Sequence, residues 1–425
     1  MDAHRAVVVT GVGAVTPYGV GVAPFWAGLL AGRPTAGPIT RFDASGFAVR
    51  IACEVPAFDP FTRLPPRLVR QLDRFAQFAL VAGEEALAGA GLLGSPADAG
   101  LHLPVEGVDP ERVGAVVASG SGGVEEMNAQ ADRLRAGGPA RVRPYLPIAM
   151  PVNMAGAQLA IRHGLRGPSY AVASACASAG DAIGAGLDLI RCGRADVVVA
   201  GGAEAAITPL LVAGFAAAGT LSRRNDEPER ASRPFDADRD GFVVGEGAGL
   251  LVLERAEHAA ARGARALAVL AGYGTSSDAF HPTQPSPGGR GAARALALAL
   301  DDAGLAPTDV HHVNAHATAT RTGDPAEAAA VRAVFAGHAD AVAVTSTKSA
   351  VGHLLGAAGG VEAVATVETL RRGVVPPSQN LDARDPDCPL DVVHGAPRAL
   401  RMRAALSSSF GFGGHNAVLA FAASG

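Results

Sequence analysis

A single cysteine lies among small residues in the stretch VASACASAGDAIGAG, residues 172–186. The run 169–175 predicts a buried strand that ends at Cys176, and the following segment predicts a helix over 177–192. A thiol at a helix N-terminus faces unpaired amide N–H groups, which favour the thiolate. Small neighbours would let another molecule approach the sulfur. Cys176 is therefore a candidate nucleophile, and the alternative is an inert core thiol.

Three later segments carry residues that suit the same chemistry. His316 follows a short predicted strand in VNAHATATRTGDP (313–325), and His353 lies in STKSAVGHLLGAAGGVEA (346–363). One cysteine with two histidines on separate loops indicates nucleophilic thiol catalysis, although a lone histidine is often a satisfied core residue. The segment SSSFGFGGHNAVLAF (407–421) has a glycine-dense tip. Its backbone N–H groups suit an oxyanion hole, although a plain hairpin turn has the same pattern.

Lys348 is the one lysine among 36 lysine and arginine residues. A coding bias toward arginine explains the shortage of lysine. A site that needs a compact ammonium cannot use the planar guanidinium of arginine instead. Lys348 is therefore a candidate functional residue, with chance survival as the alternative.

The composition is that of a compact protein with a large core. The chain has 425 residues, of which 48% are hydrophobic and 18% are charged, and its net charge is −4. No basic excess favours nucleic acid, no run of 18 apolar residues predicts a membrane span, and the N-terminus lacks the layout of a signal peptide. We expect a cytoplasmic protein that binds neither nucleic acid nor membrane.

Two common site types are excluded by spacing. The four cysteines form no CxxC pair, so we expect free thiols and no metal site. The segment GVGAVTP (11–17) begins like a dinucleotide-binding loop, but its third glycine is absent and Pro17 follows. This pattern argues against a nicotinamide cofactor.

Short buried strands alternate with helices rich in alanine, leucine and glycine, which favours an α/β layered fold. The predicted strands cover 5–10, 113–118, 169–175, 195–200, 249–254, 266–272, 311–315 and 342–346. The predicted helices cover 72–92, 177–192, 291–304, 325–336 and 358–372. Each half of the chain contains a strand, a turn with a reactive residue and a helix. A division near residue 260 is therefore predicted, although no sequence repeat is evident.

The ordered set of motifs resembles the elongating β-ketoacyl-acyl carrier protein synthases, the decarboxylating condensing enzymes of the thiolase superfamily. The resemblance extends nearly end to end. Besides the segments around Cys176, Lys348 and His353, it includes VVVTGVGAVTPYG (7–19), GLRGPS (164–169), SRPFDADRDGFVVGEGAG (232–249), NAHATAT (314–320) and SFGFGGHN (409–416). It implies a thiolase-like five-layered αβαβα fold with two similar halves, 1–261 and 262–425.

The resemblance also implies which residues form the site. Those it assigns to catalysis are Cys176, His316, His353, Lys348, Glu362 and Phe412. Those it assigns to substrate binding are Thr318, Thr320, Ser121 and Phe410. No metal is implied, and no cofactor other than the phosphopantetheine arm on which acyl carrier protein presents the substrates.

The implied roles agree with the chemistry of these groups. Cys176 would take the growing acyl chain, and the N–H groups of Cys176 and Phe412 would stabilise the oxyanion. Two neutral histidines would donate N–H bonds to the enolate left when malonyl thioester loses CO2. Lys348 and its partner Glu362 would support this site. Thr318 and Thr320 would contact the pantetheine arm, and Phe412 would gate the acyl site.

Two partners follow from the resemblance: acyl carrier protein and a second subunit. Carrier proteins of this family are typically acidic, so basic segments should dock them. The candidate docking residues are Arg63, Arg67, Arg70, Arg74, Arg141 and Arg143. The second subunit is a copy of the chain in a homodimer, or a chain-length-factor homologue in a heterodimer.

Several positions depart from the usual fatty acid pattern. Asp181 stands where many fatty acid enzymes have histidine, as in aromatic-polyketide ketosynthases. Ser121 replaces a bulky residue that often closes the acyl pocket, which predicts a deeper tunnel. The pathway is therefore fatty acid synthesis or type II polyketide or polyene synthesis. The alternatives are a thiolase or starter-type enzyme, and a non-catalytic chain-length-factor subunit, against which Cys176 argues.

Overall fold

The computed structural model describes residues 6–93 and 107–424. The strands are β1 (Val7–Thr16), β2 (Gly19–Val20), β3 (Gly37–Pro38), β4 (Ile51–Ala52), β5 (Val113–Ala118), β6 (Ser169–Tyr170), β7 (Val197–Glu204), β8 (Gly247–Arg255), β9 (Ala268–Ser277), β10 (Val310–Asn314), β11 (Ala343–Thr345), β12 (Val374–Val375), β13 (Asp391–Val392), β14 (Arg398–Ala399), β15 (Ala404–Gly411) and β16 (His415–Ala423). The helices are α1 (Val22–Ala31), α2 (Pro66–Val69), α3 (Arg74–Gly89), α4 (Val124–Gly137), α5 (Leu146–Ala149), α6 (Met154–His163), α7 (Ser178–Arg191), α8 (Pro209–Ala217), α9 (Ala256–Ala261), α10 (Arg290–Ala303), α11 (Gly323–Phe335), α12 (Lys348–Val351) and α13 (Ala358–Arg372).

The main sheet consists of two halves with the same strand order. The N-terminal half has the order β1-β8-β7-β5-β6, and the C-terminal half has the order β9-β16-β15-β10-β11, extended at its edge by β13. In each half the first two pairs are antiparallel and the next two are parallel. The halves meet where β1 pairs with β9. This repetition confirms the two similar halves, although the sequence contains no evident repeat.

Five layers result from the packing of helices on these half-sheets. Helices α3 and α6 cover the outer face of the N-terminal half, and α10 covers the outer face of the C-terminal half together with α11. Helices α7 and α13 lie between the half-sheets and contact strands of both. The αβαβα architecture expected from the resemblance is therefore present.

The burial patterns of the helices follow from these layers. The outer helix α10 buries one stripe, with Ala295, Leu296, Ala299 and Leu300 facing the sheet. The central helix α13 is buried on all sides along most of its length. Among the described residues, no helix is both long and apolar enough to cross a bilayer.

The small residues after Cys176 are required by packing of the central helices. A Cβ added at Gly359 of α13 would lie 2.9 Å from the backbone nitrogen of Gly180 in α7. A Cβ at Gly184 would lie 2.6 Å from the ring of Tyr273 on β9. We expected the small residues to leave space for another molecule. Their main role is instead to let α7 approach α13 and both half-sheets.

Each central helix is preceded by a strained turn. Residues Ala175–Ala177 and Leu355–Ala357 form short 3-10 turns directly before α7 and α13. Ala175 has φ of 53° and Leu355 has φ of 49°, a left-handed conformation that is costly for side chains with a Cβ. The predicted strand over 169–175 is therefore wrong in length, because only Ser169 and Tyr170 pair with β5 and the chain then bends to enter the helix.

Arg74, one of the predicted docking residues, is half-buried and paired with Glu246. Its guanidinium bonds both carboxylate oxygens of Glu246, at 2.7 and 3.0 Å, and the Arg74 side chain is 13% exposed. It also lies over the rings of Phe58 and Phe78. Because a buried carboxylate needs a paired cation, Arg74 stabilises Glu246, and its docking role stays a prediction.

Candidate active site

One cavity brings most of the predicted site residues together. Its volume is about 390 Å³. The predicted residues in its lining are Cys176, His316, His353, Phe410, Phe412, Thr318 and Thr320. Lys348 and Glu362 lie behind the lining, within the core. The catalytic set therefore gathers at one place, although its members come from both halves of the chain.

The strained turn before α7 presents the Cys176 thiol to the loop between β15 and β16. The backbone N–H of Phe412 donates a hydrogen bond to the thiol. A Cβ added at Gly411 would lie only 3.0 Å from the backbone nitrogen of Cys176. Position 411 therefore needs a glycine, so that the loop can approach the Cys176 backbone. The turn that carries Cys176 and the loop that carries Phe412 are thus in direct contact, and their role as an oxyanion hole stays a prediction.

The thiol of Cys176 is more weakly acidic than its place before a helix suggests. Burial raises the pKa of Cys176 to about 11, and the Lys348 ammonium and the Phe412 N–H only partly oppose this shift. We expected the helix N-terminus to favour the thiolate. In the free protein, burial opposes this effect, because the thiolate loses its solvation.

His316 and His353 face each other across the cavity. Their ring centroids lie 5.3 Å apart and the rings are inclined at 85°. Burial, followed by repulsion from the Lys348 ammonium, lowers the pKa of both imidazoles well below 6.5. Both rings are therefore neutral at physiological pH.

The hydrogen bonding of His353 fixes its tautomer. Its Nδ1 accepts a hydrogen bond from the backbone N–H of Leu355, at 3.3 Å. Because a neutral imidazole has one donor and one acceptor nitrogen, the proton of His353 lies on Nε2. His353 thus offers an N–H donor to a ligand in the cavity.

Lys348 and Glu362 form an ion pair in the core. The ammonium of Lys348 bonds Oε1 of Glu362, and their side chains are only 1% and 2% exposed. Burial raises the pKa of Glu362, and the neighbouring Lys348 opposes the shift. The field of Lys348 reaches Cys176, His316 and His353, so a positive charge acts on the whole site without entering the cavity.

Two carboxylates beside the histidine loop were missed in the sequence. Glu327 accepts hydrogen bonds from the backbone N–H groups of His316 at 2.8 Å and Ala317 at 2.7 Å. Asp324 accepts from Thr320 at 3.2 Å and from Phe235 at 2.9 Å. Burial raises the pKa of Glu327 to about 7 and that of Asp324 to about 6.

A sequence signal for these carboxylates was present. They lie three positions apart in the first turns of α11, directly after the loop that carries His316. Acidic residues in that place suit the unpaired N–H groups of a preceding loop.

The threonine loop and the glycine tip shape the rest of the cavity. The hydroxyls of Thr318 and Thr320 lie 3.2 Å apart and both residues line the cavity. Gly413 and Gly414 have φ of 86° and 75°, and they form the turn after Phe412. Only glycine adopts this conformation readily, so the tip that carries Phe412 depends on both residues.

Ser121 lies outside the lining of this cavity. Its backbone N–H bonds Oε1 of the buried Glu204 at 3.1 Å. The other oxygen of Glu204 accepts from Gly120 at 2.7 Å and Gly356 at 3.0 Å. Glu204 thus joins the loop of Ser121 to the turn after His353, and the tunnel role of Ser121 stays a prediction.

The remaining docking arginines also lie away from the cavity. Arg63, Arg67, Arg70 and Arg141 are exposed. Arg143 is half-buried, lies 3.7 Å from Glu126 and bonds the carbonyl of Arg70 at 3.4 Å. Their docking role stays a prediction.

The chain matches two family models and has close relatives along its length. The models are those of the beta-ketoacyl synthase N-terminal domain, over residues 4–259, and C-terminal domain, over residues 267–382. A 3-oxoacyl-[acyl-carrier-protein] synthase 2 from Synechocystis sp. is 46% identical over 417 residues, 98% of each chain. A protein of the same name from Coxiella burnetii is 42% identical over 415 residues, again 98% of each.

Solved structures agree with this assignment. A beta-ketoacyl synthase from Burkholderia phymatum is 38% identical with a TM-score of 0.90, and the ishigamide ketosynthase/chain length factor is 36% identical with a TM-score of 0.88. AntDE:AntF, a type II PKS acyl-carrier protein in complex with its ketosynthase, is 32% identical with a TM-score of 0.90. Each match covers 99% of this chain and 100% of the other. Both halves of the chain and its complete fold thus lead to one conclusion: it belongs to the beta-ketoacyl synthase family of condensing enzymes.

Proposed function

We propose that this enzyme condenses malonyl-acyl carrier protein with an acyl chain held on Cys176, releasing CO2 and a β-ketoacyl-acyl carrier protein. The observation that carries the proposal is the neutral pair His316 and His353, which shares one cavity with the thiol of Cys176. The enzyme serves fatty acid synthesis or type II polyketide or polyene synthesis. Relatives named for fatty-acid-type synthases and a neighbour titled a type II PKS complex support both settings.

Loading begins when the sulfur of Cys176 attacks the thioester carbonyl of the acyl carrier. The new C–S bond creates an oxyanion, which the N–H groups of Cys176 and Phe412 stabilise. Collapse of this intermediate breaks the old C–S bond and releases the pantetheine thiol, which takes the proton that Cys176 gives up. Lys348 and the Phe412 N–H both lower the pKa of the thiol and so assist the attack.

Decarboxylation follows when the malonyl thioester occupies the same cavity. Loss of CO2 leaves its electron pair on the thioester as an enolate. The Nε2–H of His353 and an N–H of His316 donate to the enolate oxygen. The α-carbon then attacks acyl-Cys176, and the cysteine leaves as a thiolate. The protein groups supply all of this stabilisation, so the proposal requires neither a metal nor a bound cofactor.

Acyl carrier protein would bring both substrates on its phosphopantetheine arm. The hydroxyls of Thr318 and Thr320 line the cavity and suit the amides of that arm. The exposed Arg63, Arg67, Arg70 and Arg141 suit an acidic carrier. The similar structure AntDE:AntF contains a carrier with its ketosynthase, which supports this kind of partner.

The two rival functions fit the site less well. A starter-type enzyme resembles a Cys-His-Asn set, whereas here two histidines face each other beside Cys176. A chain-length factor lacks the nucleophile, whereas Cys176 occupies the strained turn before α7. An elongating ketosynthase accounts for all three residues.

An apolar face at one end of the sheet supports a homodimer. The edge strand β6 exposes Tyr170, and the neighbouring α6 exposes Ile161, which is 68% accessible. An exposed apolar face with an unpaired strand edge is covered in most proteins. A second copy of the chain, paired edge to edge at β6, would bury it symmetrically.

The cysteines support a reducing compartment. Cys53 and Cys388 are buried free thiols, and Cys192 is an exposed free thiol at the end of α7. Exposed free thiols persist in reducing cytoplasm. We place the reaction there.

Cys176→Ala should abolish acyl loading, because it removes the attacking sulfur and leaves the backbone unchanged. Intact-mass spectrometry after incubation with acyl carrier thioesters measures the adduct. The parent protein should gain one acyl mass, as should the control Cys192→Ala, which removes the exposed thiol at the other end of the helix. An acyl adduct that persists on Cys176→Ala would contradict the proposed function.

His316→Ala and His353→Ala should each slow decarboxylation by about 100- to 1,000-fold, the effect of losing one oxyanion donor. Release of labelled CO2 from malonyl carrier measures this step separately from loading. Loading should continue in both variants. His394→Ala, which changes an exposed histidine, is the control. Parent rates of CO2 release in both variants would show that the histidines have other roles.

The purified chain should sediment at about twice its 42.6 kDa mass. Ile161→Arg should make it monomeric, because it places a charge in the apolar face beside β6. Leu210→Arg, at a 60% exposed position on α8, should remain dimeric. A monomeric parent protein that dimerises only with a homologue would refute the homodimer.

A further inference from the structure

The carboxylate of Asp181 collects two hydroxyl donors close to the nucleophile. Asp181 lies on α7, five positions after Cys176. Oδ2 accepts a hydrogen bond from Oγ of Ser174, and Oδ1 accepts one from the hydroxyl of Tyr273 at 2.5 Å. Ser174 is 6% exposed, and bonds from hydroxyl to carboxylate in such surroundings are strong.

Ser174 directly precedes the turn Ala175–Ala177 that presents the thiol. The next residue, Ala175, has the left-handed φ of 53°. Such a conformation persists only where neighbouring contacts impose it. On one side Ser178 imposes it, since its Oγ accepts from the Ser174 N–H at 2.9 Å and donates to the Ala175 carbonyl at 2.6 Å. Asp181 holds the same turn through the Ser174 side chain.

The position of Ser174 also sets the spacing to the Phe412 loop. A Cβ at Gly411 would lie 2.7 Å from the carbonyl oxygen of Ser174 and 3.0 Å from the nitrogen of Cys176. The turn and the loop are therefore in direct contact. A shift of Ser174 would change the distance between the two N–H groups proposed for the oxyanion hole.

Tyr273 anchors this arrangement in the other half of the protein. It lies on β9, and its ring covers Gly184 of α7. Burial, followed by the charge of Asp181, raises the pKa of Tyr273. Its hydroxyl is therefore a protonated donor to Asp181 at any physiological pH.

From these contacts we infer that Asp181 is a positioning residue: with Ser174 and Tyr273 it holds the Cys176 turn in the geometry needed for acyl transfer. The inference rests on the proposed function, in which Cys176 is the nucleophile. The largest charges acting on the thiol are those of Lys348, Glu204 and Glu362. Asp181 acts instead through the backbone of the turn. Its loss should change the rate of acyl transfer and leave the acidity of the thiol as it is.

Asp181→Ala tests this inference. At saturating acyl carrier, single-turnover loading of Cys176 should slow by about 10- to 100-fold, the effect of misplacing a reacting group by about 1 Å. The KM for the carrier and the pH profile of iodoacetamide alkylation should remain those of the parent. Asp181→Asn should recover most of the rate, since its amide still pairs with both hydroxyls. Asp188→Ala, on an exposed face of the same helix, is the control and should load at the parent rate.

Three results would overturn the inference. The first is loading of Asp181→Ala at the parent rate. The second is an alkylation profile displaced in pH, which would mean that Asp181 acts by charge. The third result concerns a second variant, which is needed if Asp181→Ala does not fold. Tyr273→Phe removes only one hydroxyl and should slow loading several-fold. Loading of Tyr273→Phe at the parent rate would refute the role of Asp181. If the parent protein takes up no acyl group, the proposed function fails instead.

Discussion

A buried positive charge organises this site. The Lys348 ammonium lies in the core with Glu362 as its partner, and its field reaches the thiol and both histidines. Burying such a pair carries a large desolvation cost, so its presence requires a compensating use. Burial keeps His316 and His353 neutral, the Lys348 charge adds to this effect, and the same charge favours the thiolate of Cys176. A guanidinium at this place would need a wider, planar space, so an arginine would not fit here in the same way as Lys348.

The repeated fold delivers the reactive groups to that charge. Each half contributes one central helix, and each helix is entered through a three-residue turn with a left-handed residue, Ala175 or Leu355. The first turn carries Cys176, and the second follows His353. Because α7 and α13 contact at Gly180 and Gly359, the two turns lie side by side. The catalytic pairing of thiol and imidazole is therefore a consequence of the symmetry between the halves.

The sequence predicted the parts of the protein that depend on local pattern. The long buried strands, the helices around 74–89 and 178–191 and the grouping of Cys176 with two loop histidines all follow from periodicity and residue type. The strand at 169–175 was too long, because its end is decided by pairing with β5 and not by its own residues.

The remaining differences come from contacts distant in sequence. The sequence alone indicates a surface charge at Arg74. In the structure its guanidinium pairs with Glu246, which lies 172 positions away in the chain. The helix end alone predicts a more acidic thiol at Cys176, whereas burial raises the pKa of this thiol. The Asp181 network joins α7 to β9 across the two halves, and no local pattern connects these segments.

The central claim is that burial, together with the Lys348 field, keeps both site histidines neutral. Nitrogen chemical shifts of 15N-labelled histidine, followed across pH, measure it directly, with His316→Gln and His353→Gln variants to assign the signals. Both imidazoles should remain neutral at about pH 5.5, a unit below the ordinary histidine pKa, with the proton of His353 on Nε2. Protonation of either ring with a pKa near 6.5 would contradict the account.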